Sequence, residues 1–133
     1  MTLLLDTHAA IWMAAADASL GKRSRALVAT AAADGRLAIS AISFWEIALL
    51  LEKDRLRSTL TAEALRQRLL QTGIREIPVT GEIVLLSTQL ALHGDPADRF
   101  IAASCVVTGA ALMTADTRLL AWKHAAKRHD ARR

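Results

Sequence analysis

The chain has 133 residues, 53% of them apolar and 23% charged, with a formal net charge of +4. That is the length of one domain, with enough apolar material for a sizeable core and too much for a disordered chain. The longest uncharged run, residues 100–115, is too short and too polar to span a bilayer.

No basic start precedes an apolar stretch, and Cys105 stands alone. Secretion by a signal peptide, disulfides and paired-cysteine zinc sites are therefore not expected. The expectation is a cytoplasmic protein without membrane contact. The charge is unevenly placed. Residues 123–133 carry Lys123, Lys127, Arg128, Arg132 and Arg133 against Asp130, whereas residues 1–122 are balanced. This divides the chain into a domain over 1–122 and a basic tail over 123–133. Such a tail is either an arm for polyanions or a solvated, frayed end. With no Tyr and 4% aromatic residues, a base-stacking platform is not expected.

A first strand is predicted over residues 3–5, and Asp6, Thr7 and His8 follow it directly. An alanine-rich helix over 22–34 stops at Gly35, and a second strand covers 37–42. Next, Ser43-Phe44-Trp45-Glu46 opens a helix over 44–53 that is apolar on most faces and so expected to be buried. Ser43 and Glu46 also have the spacing of a capping box. A helix over 61–72 presents Leu65, Leu69 and Leu70 on one face, and a third strand covers 75–79. The pattern over 81–93 reads as one helix, placing His93 at the negative end of its dipole. Asp95-Pro96-Ala97-Asp98-Arg99 then supplies a cap, a first-turn proline and a dipole partner for a helix over 96–108. A fourth strand over 111–114 leads to Asp116 and a last helix over 117–123.

Apolar strands alternating with helices predict an α/β fold with a parallel sheet covered on both faces. Sites in such sheets lie beyond the carboxyl ends of the strands. Asp6, Glu46 and Asp116 follow three of the strands, and Asp98 opens a helix. A local capping role explains most of these acids singly but not the four together. Four carboxylates on one rim repel each other unless a cation sits among them. Hard oxygen ligands suit Mg2+ or Mn2+, which can activate water against a phosphodiester.

These motifs, Leu3-Leu4-Leu5-Asp6-Thr7-His8, Ile42-Ser43-Phe44-Trp45-Glu46-Ile47, Asp95-Pro96-Ala97-Asp98-Arg99-Phe100-Ile101-Ala102-Ala103 and Thr114-Ala115-Asp116, resemble the PIN-domain family. More narrowly they are similar to the VapC toxins of bacterial type II toxin–antitoxin modules. The resemblance runs from residue 2 to about 122, with all four acidic motifs in order. It implies a three-layer α/β/α fold and a metal-dependent endoribonuclease inhibited by a cognate VapB-like antitoxin. Carried over by position, Asp6, Glu46, Asp98 and Asp116 are the metal-binding and catalytic acids. Thr7 and Thr114 are supporting hydroxyls, and Asp95 is an acidic position outside the ligand set. The implied partners are an RNA substrate, the antitoxin and a second copy in a homodimer.

Lys22, Arg23, Arg25 and Arg99 are candidate RNA contacts. His8 is not expected as a ligand, because the family varies there. Cys105 and the tryptophans Trp12, Trp45 and Trp122 are expected in the core, although the tryptophans also suit a groove for an antitoxin helix. Two rivals remain. A receiver-like signalling domain needs an acid pair after the first strand and a Lys after the last, where this chain has Asp6 alone and Asp116. A PIN-like module that binds RNA or a partner without cleaving keeps the same residues. His124 and His129 lack a carboxylate–His–Ser arrangement, so nucleophilic hydrolysis is not expected.

Overall fold

Strands covered on both faces must be apolar at every position, and the three central ones are almost entirely so. In the computed structural model, which describes residues 1–133, β1 (Leu3–Leu5), β2 (Leu37–Ser40) and β4 (Ala111–Thr114) are buried throughout. They are joined by two three-residue edge strands, β3 (Arg75–Ile77) and β5 (Arg128–Asp130), both partly exposed. All pairings are parallel, in the order β3-β2-β1-β4-β5. The receiver-like order is 2-1-3-4-5, so the topology removes that rival.

The helices are α1 (Thr7–Ala14), α2 (Lys22–Ala33), α3 (Ile42–Glu52), α4 (Ala62–Gln71), α5 (Gly81–Ser87), α6 (Pro96–Thr108) and α7 (Thr117–Leu120). Alternation along the strands divides the core in two. Leu3, Leu5, Leu37, Ile39 and Met113 join residues of α1, α2 and α4, including Ala9, Val28 and Leu69. Leu4, Ala38 and Leu112 join Ile101 and Cys105 of α6, Leu119 of α7 and Trp122. The result is the three-layer α/β/α arrangement.

Five expectations change. Helix α1, absent from the sequence reading, starts because Asp6 caps it, Oδ1 accepting from the Ala9 N–H at 2.9 Å. The helix expected over 81–93 ends at Ser87. There the Ser87 and Thr88 hydroxyls donate to the carbonyls of Val84 and Leu85, and the chain turns away. Helix α3 is not buried as expected, because only Ser43 and Ile47 are enclosed and Trp45 is 49% exposed. Its apolar side instead lines an open groove of about 1360 Å³ shared with α1 and α4. Nor is there a capping box, since the N-cap of α3 is Ala41 and makes no side-chain bond.

The fifth change concerns the tail. Residues 128–130 pair with Leu112, Met113 and Thr114 as β5, and Ala131 is fully enclosed in the core. The Gly21 N–H donates to the Ala131 carbonyl at 2.9 Å, and the Arg23 N–H to the Arg133 carbonyl at 2.7 Å. Backbone hydrogen bonds, which the side-chain charges conceal, thus draw this segment into the sheet. A Cβ on Gly21 would lie 2.1 Å from the Arg133 carbonyl carbon. Gly21→Ala is therefore expected to destabilise the fold by about 1–3 kcal/mol, as overpacking does. Gly81→Ala, with open space around it, serves as the control. Thermal melting checks this; equal Tm values for the two variants would mean that the segment does not dock at Gly21.

Candidate metal centre

The strand order reverses between β1, which leads outward to β2 and β3, and β4, which leads to β5. A crevice opens at such a switch point, beyond the carboxyl ends of the strands. A recess of about 330 Å³ lies where Asp6 follows β1 and Ala115 and Asp116 follow β4. Asp6, Glu46, Asp98 and Asp116 all line it, so the structure brings the sequence quartet together. Asp95, His8, Trp12, Arg118 and Arg132 also face it.

Two hydroxyls hold the inner acids. Thr114 donates to the Asp6 carboxylate, and its oxygen accepts from the Asp116 N–H at 3.0 Å. Thr7 donates to the Glu46 carboxylate and shares a second hydrogen bond with the Ser43 hydroxyl at 2.9 Å. Asp116 caps α7 by accepting from the N–H groups of Arg118 and Leu119. Asp95 caps α6 in the same way, with Pro96 in the first turn as expected. Asp98, on that first turn, lies 2.7 Å from His93 Nε2 and 3.7 Å from an Arg118 nitrogen. One ligand atom each from His93, Asp98 and Asp116 fall within 4.8 Å of one another.

The charges in the recess are costly. Burial pushes the Asp6 carboxyl up, although Thr114 and the Ala9 N–H oppose the shift. Burial raises Glu46 from its ordinary 4.5 to about 7, with Asp98, Asp95 and Asp6 adding repulsion. Asp98 is raised by burial too, and by Asp95 and Asp116. Asp116 differs. Burial pushes it up, but the Arg118 guanidinium and two backbone N–H groups outweigh that and hold it low. Five carboxylates against two guanidiniums form a donor set of hard oxygens with excess negative charge, which fits a divalent cation.

Among the expected RNA contacts, Arg99 is withdrawn. Its guanidinium donates to the carbonyls of Ser87, Leu90, Leu92 and His93 and is not available to a phosphate. Lys22, Arg23 and Arg25 stand on the first turn of α2, outside the recess. Arg118 and Arg132 line the recess instead, Arg118 paired with Asp116 at 3.1 Å and Arg132 donating to the Ala115 carbonyl at 2.7 Å, and the sequence reading named neither as a site residue. Only the position of Arg118, two residues beyond Asp116, signalled it. His93 was assigned to a helix end that does not exist. Trp12 packs against the core while lining the recess, Trp45 is exposed, and Trp122 and Cys105 lie in the core as expected.

The chain is an α/β/α domain with an acidic recess at its switch point whose donors suit a divalent cation, and its relatives place it in a family. The PIN domain description matches residues 3–127. The chain is 32% identical to Ribonuclease VapC22 of Mycobacterium tuberculosis over 125 residues, covering 92% of this chain and 93% of that protein. The chain belongs to the PIN domain family. Its fold is similar to chains in the VapBC2 complex of Rickettsia felis bound to a promoter DNA fragment (TM-score 0.70, 16% identity, 97% and 98% covered). It is equally similar to a chain of DNA-bound VapBC from Salmonella typhimurium (TM-score 0.70, 16% identity, 98% of each chain).

The raised Glu46 gives a pH signature. The folded state binds its proton more tightly than the unfolded chain, so this contribution to stability is complete below pH 4.5 and is lost as pH rises through about 7. Without divalent ions, wild type is expected to lose stability relative to Glu46→Gln across that window. Denaturant melts from pH 4.5 to 8 measure the difference between the two. A difference independent of pH would show that Glu46 is not desolvated.

Proposed function

We propose that this chain is the toxin of a type II toxin–antitoxin pair and acts in the cytoplasm as an endoribonuclease dependent on Mg2+ or Mn2+. The observation that carries this reading is the gathering of four carboxylates in one recess, three of them resisting ionisation through burial. Support for RNA as substrate comes from the relative named a ribonuclease, and for an antitoxin partner from the VapBC complexes that share the fold.

In this reading Asp6, Glu46, Asp98 and Asp116 hold the ion and are the catalytic acids. A bound divalent ion supplies a more acidic water and a positive charge for the phosphate oxygens. The Thr7 and Thr114 hydroxyls fix the inner carboxylates, so little reorganisation is left when substrate arrives. Arg118 and Arg132 at the rim meet the RNA backbone. Backbone contacts of residues 131–133 with 21–23 bring the first turn of α2 beside the C-terminal segment, with the Arg23 side chain in a separate recess beside Thr2, Leu3 and Ala111. Lys22, Arg23 and Arg25 extend the RNA contact there. The apolar groove among α1, α3 and α4, lined by Ile11, Ala48, Leu51 and Leu65, receives the antitoxin. Val84, Leu85 and Val107, exposed on α5 and α6, supply an apolar face for a homodimer.

Cleavage of RNA is expected with Mg2+ or Mn2+ and not with chelator. Asp98→Asn should lower the rate more than about a hundredfold, because even groups that only support a ligand are worth roughly 10–100-fold. Binding without cleavage in wild type, under both metals, would instead identify the non-cleaving module. A second test takes the inactive Asp6→Asn form across a salt series. Adding Arg132→Ala should flatten the slope of log affinity against log salt by about 0.7, one single-strand phosphate contact. An unchanged slope would remove Arg132 from the RNA path.

A further inference from the structure

We propose that His93 is a positioning residue for Asp98, its imidazole fixing that carboxylate in the orientation that holds the divalent cation; the inference rests on the metal-centre reading above. The chain between α5 and α6 has no regular structure of its own, yet it is pinned. Arg99 reaches back from α6 to carbonyls at Ser87 (2.9 Å), Leu90 (3.0 Å), Leu92 (2.6 Å) and His93 (3.1 Å). Neighbouring residues on one helical turn therefore act as a pair. Arg99 holds the backbone of His93, and Asp98 receives its side chain.

The contact is short and enclosed. His93 Nε2 lies 2.7 Å from Asp98 Oδ2, with the two side chains 15% and 13% exposed. The other ring nitrogen, Nδ1, is buried without a partner. A residue placed only to fill space would not leave a polar atom orphaned, so the Nε2 contact accounts for a histidine here. A hydrogen on Nε2 leaves a bare lone pair on Nδ1, a smaller penalty than an unpaired buried N–H. With the hydrogen there, the ring donates to the carboxylate and orients it. Arg118, 3.7 Å from the same oxygen, is the group that opposes the charge, and it is 56% exposed and so able to leave. Ligands held by a hydrogen bond from behind typically lose 10–100-fold in metal affinity when that support is removed.

The test is Mn2+ binding by calorimetry on the full chain, for wild type, Asp98→Asn, His93→Ala, His93→Gln and His93→Asn. Gln places an amide N–H near the position of Nε2, whereas Asn fills the site but reaches only the position of Nδ1. His93→Ala and His93→Asn are expected to weaken Mn2+ binding 10–100-fold, and His93→Gln to recover most of the loss. The Mn2+ concentration for half-maximal cleavage should move by the same factor, with kcat at saturating Mn2+ changing less. Should His93→Ala fail to fold, the Gln and Asn pair decides alone. Equal affinity in those two would reduce His93 to packing and overturn the inference, as would wild-type affinity in His93→Ala beside a defective Asp98→Asn. Wild-type affinity in Asp98→Asn would overturn the metal centre itself, and this inference with it.

Discussion

The Thr114 hydroxyl ties Asp6, at the end of β1, to the backbone N–H of Asp116, beyond β4. These are the two strands between which the sheet changes direction, and the recess exists because the chain departs from them to opposite sides. Everything else in the site is arranged around that bridge. Asp6 also caps α1, so α1 begins with its positive end at the recess and carries Thr7 to Glu46. Asp116 caps α7, which brings Arg118 back over the acids. One threonine thereby links the central strand pair, two helix starts and two carboxylates.

The same arrangement explains why the site opposes the fold that carries it. Asp6 is almost completely enclosed and Glu46 half-buried, and both are held by neutral hydroxyls instead of by cations. Hydroxyls orient a carboxylate but compensate only part of its lost hydration. The remaining repulsion favours a cation there, because an ion that bound the folded chain alone would return that energy as stability. Arg118 is a partial substitute, strong for Asp116 and weak for Asp98.

How much could be read from the chain follows from what each element does. The central strands were legible because a strand covered on both faces is a continuous apolar run, and Leu3-Leu4-Leu5 and Ala111-Leu112-Met113 are such runs. Strand β5, Arg128-His129-Asp130, carries no such pattern, since an edge strand is recruited by backbone pairing. Helix α1 was missed because Thr7–Ala14 is apolar on nearly every side and so lacks a one-sided period. The four acids were legible because each follows a strand or opens a helix. His93, Arg118 and Arg132 were not, because their roles depend on where α5 stops, how α7 turns and whether residues 128–130 join the sheet. Arg99 shows the converse. In sequence it looked free beside Asp98, and in the fold it is the clamp for a loop.

The sheet's two margins are alike in a way that bears on how the molecule meets others. Each is only three residues long, and each is polar: Arg75 and Glu76 on one side, Arg128, His129 and Asp130 on the other. Glu76 is further occupied by Arg66, through bonds of 2.9 and 2.6 Å. Short, charged margins are poor templates for an added strand. Extension of the sheet by a foreign chain, and with it fibrillar self-association, is thus discouraged at both ends. Recognition is left to the helical flanks, where side-chain shape and not backbone pairing decides who is admitted.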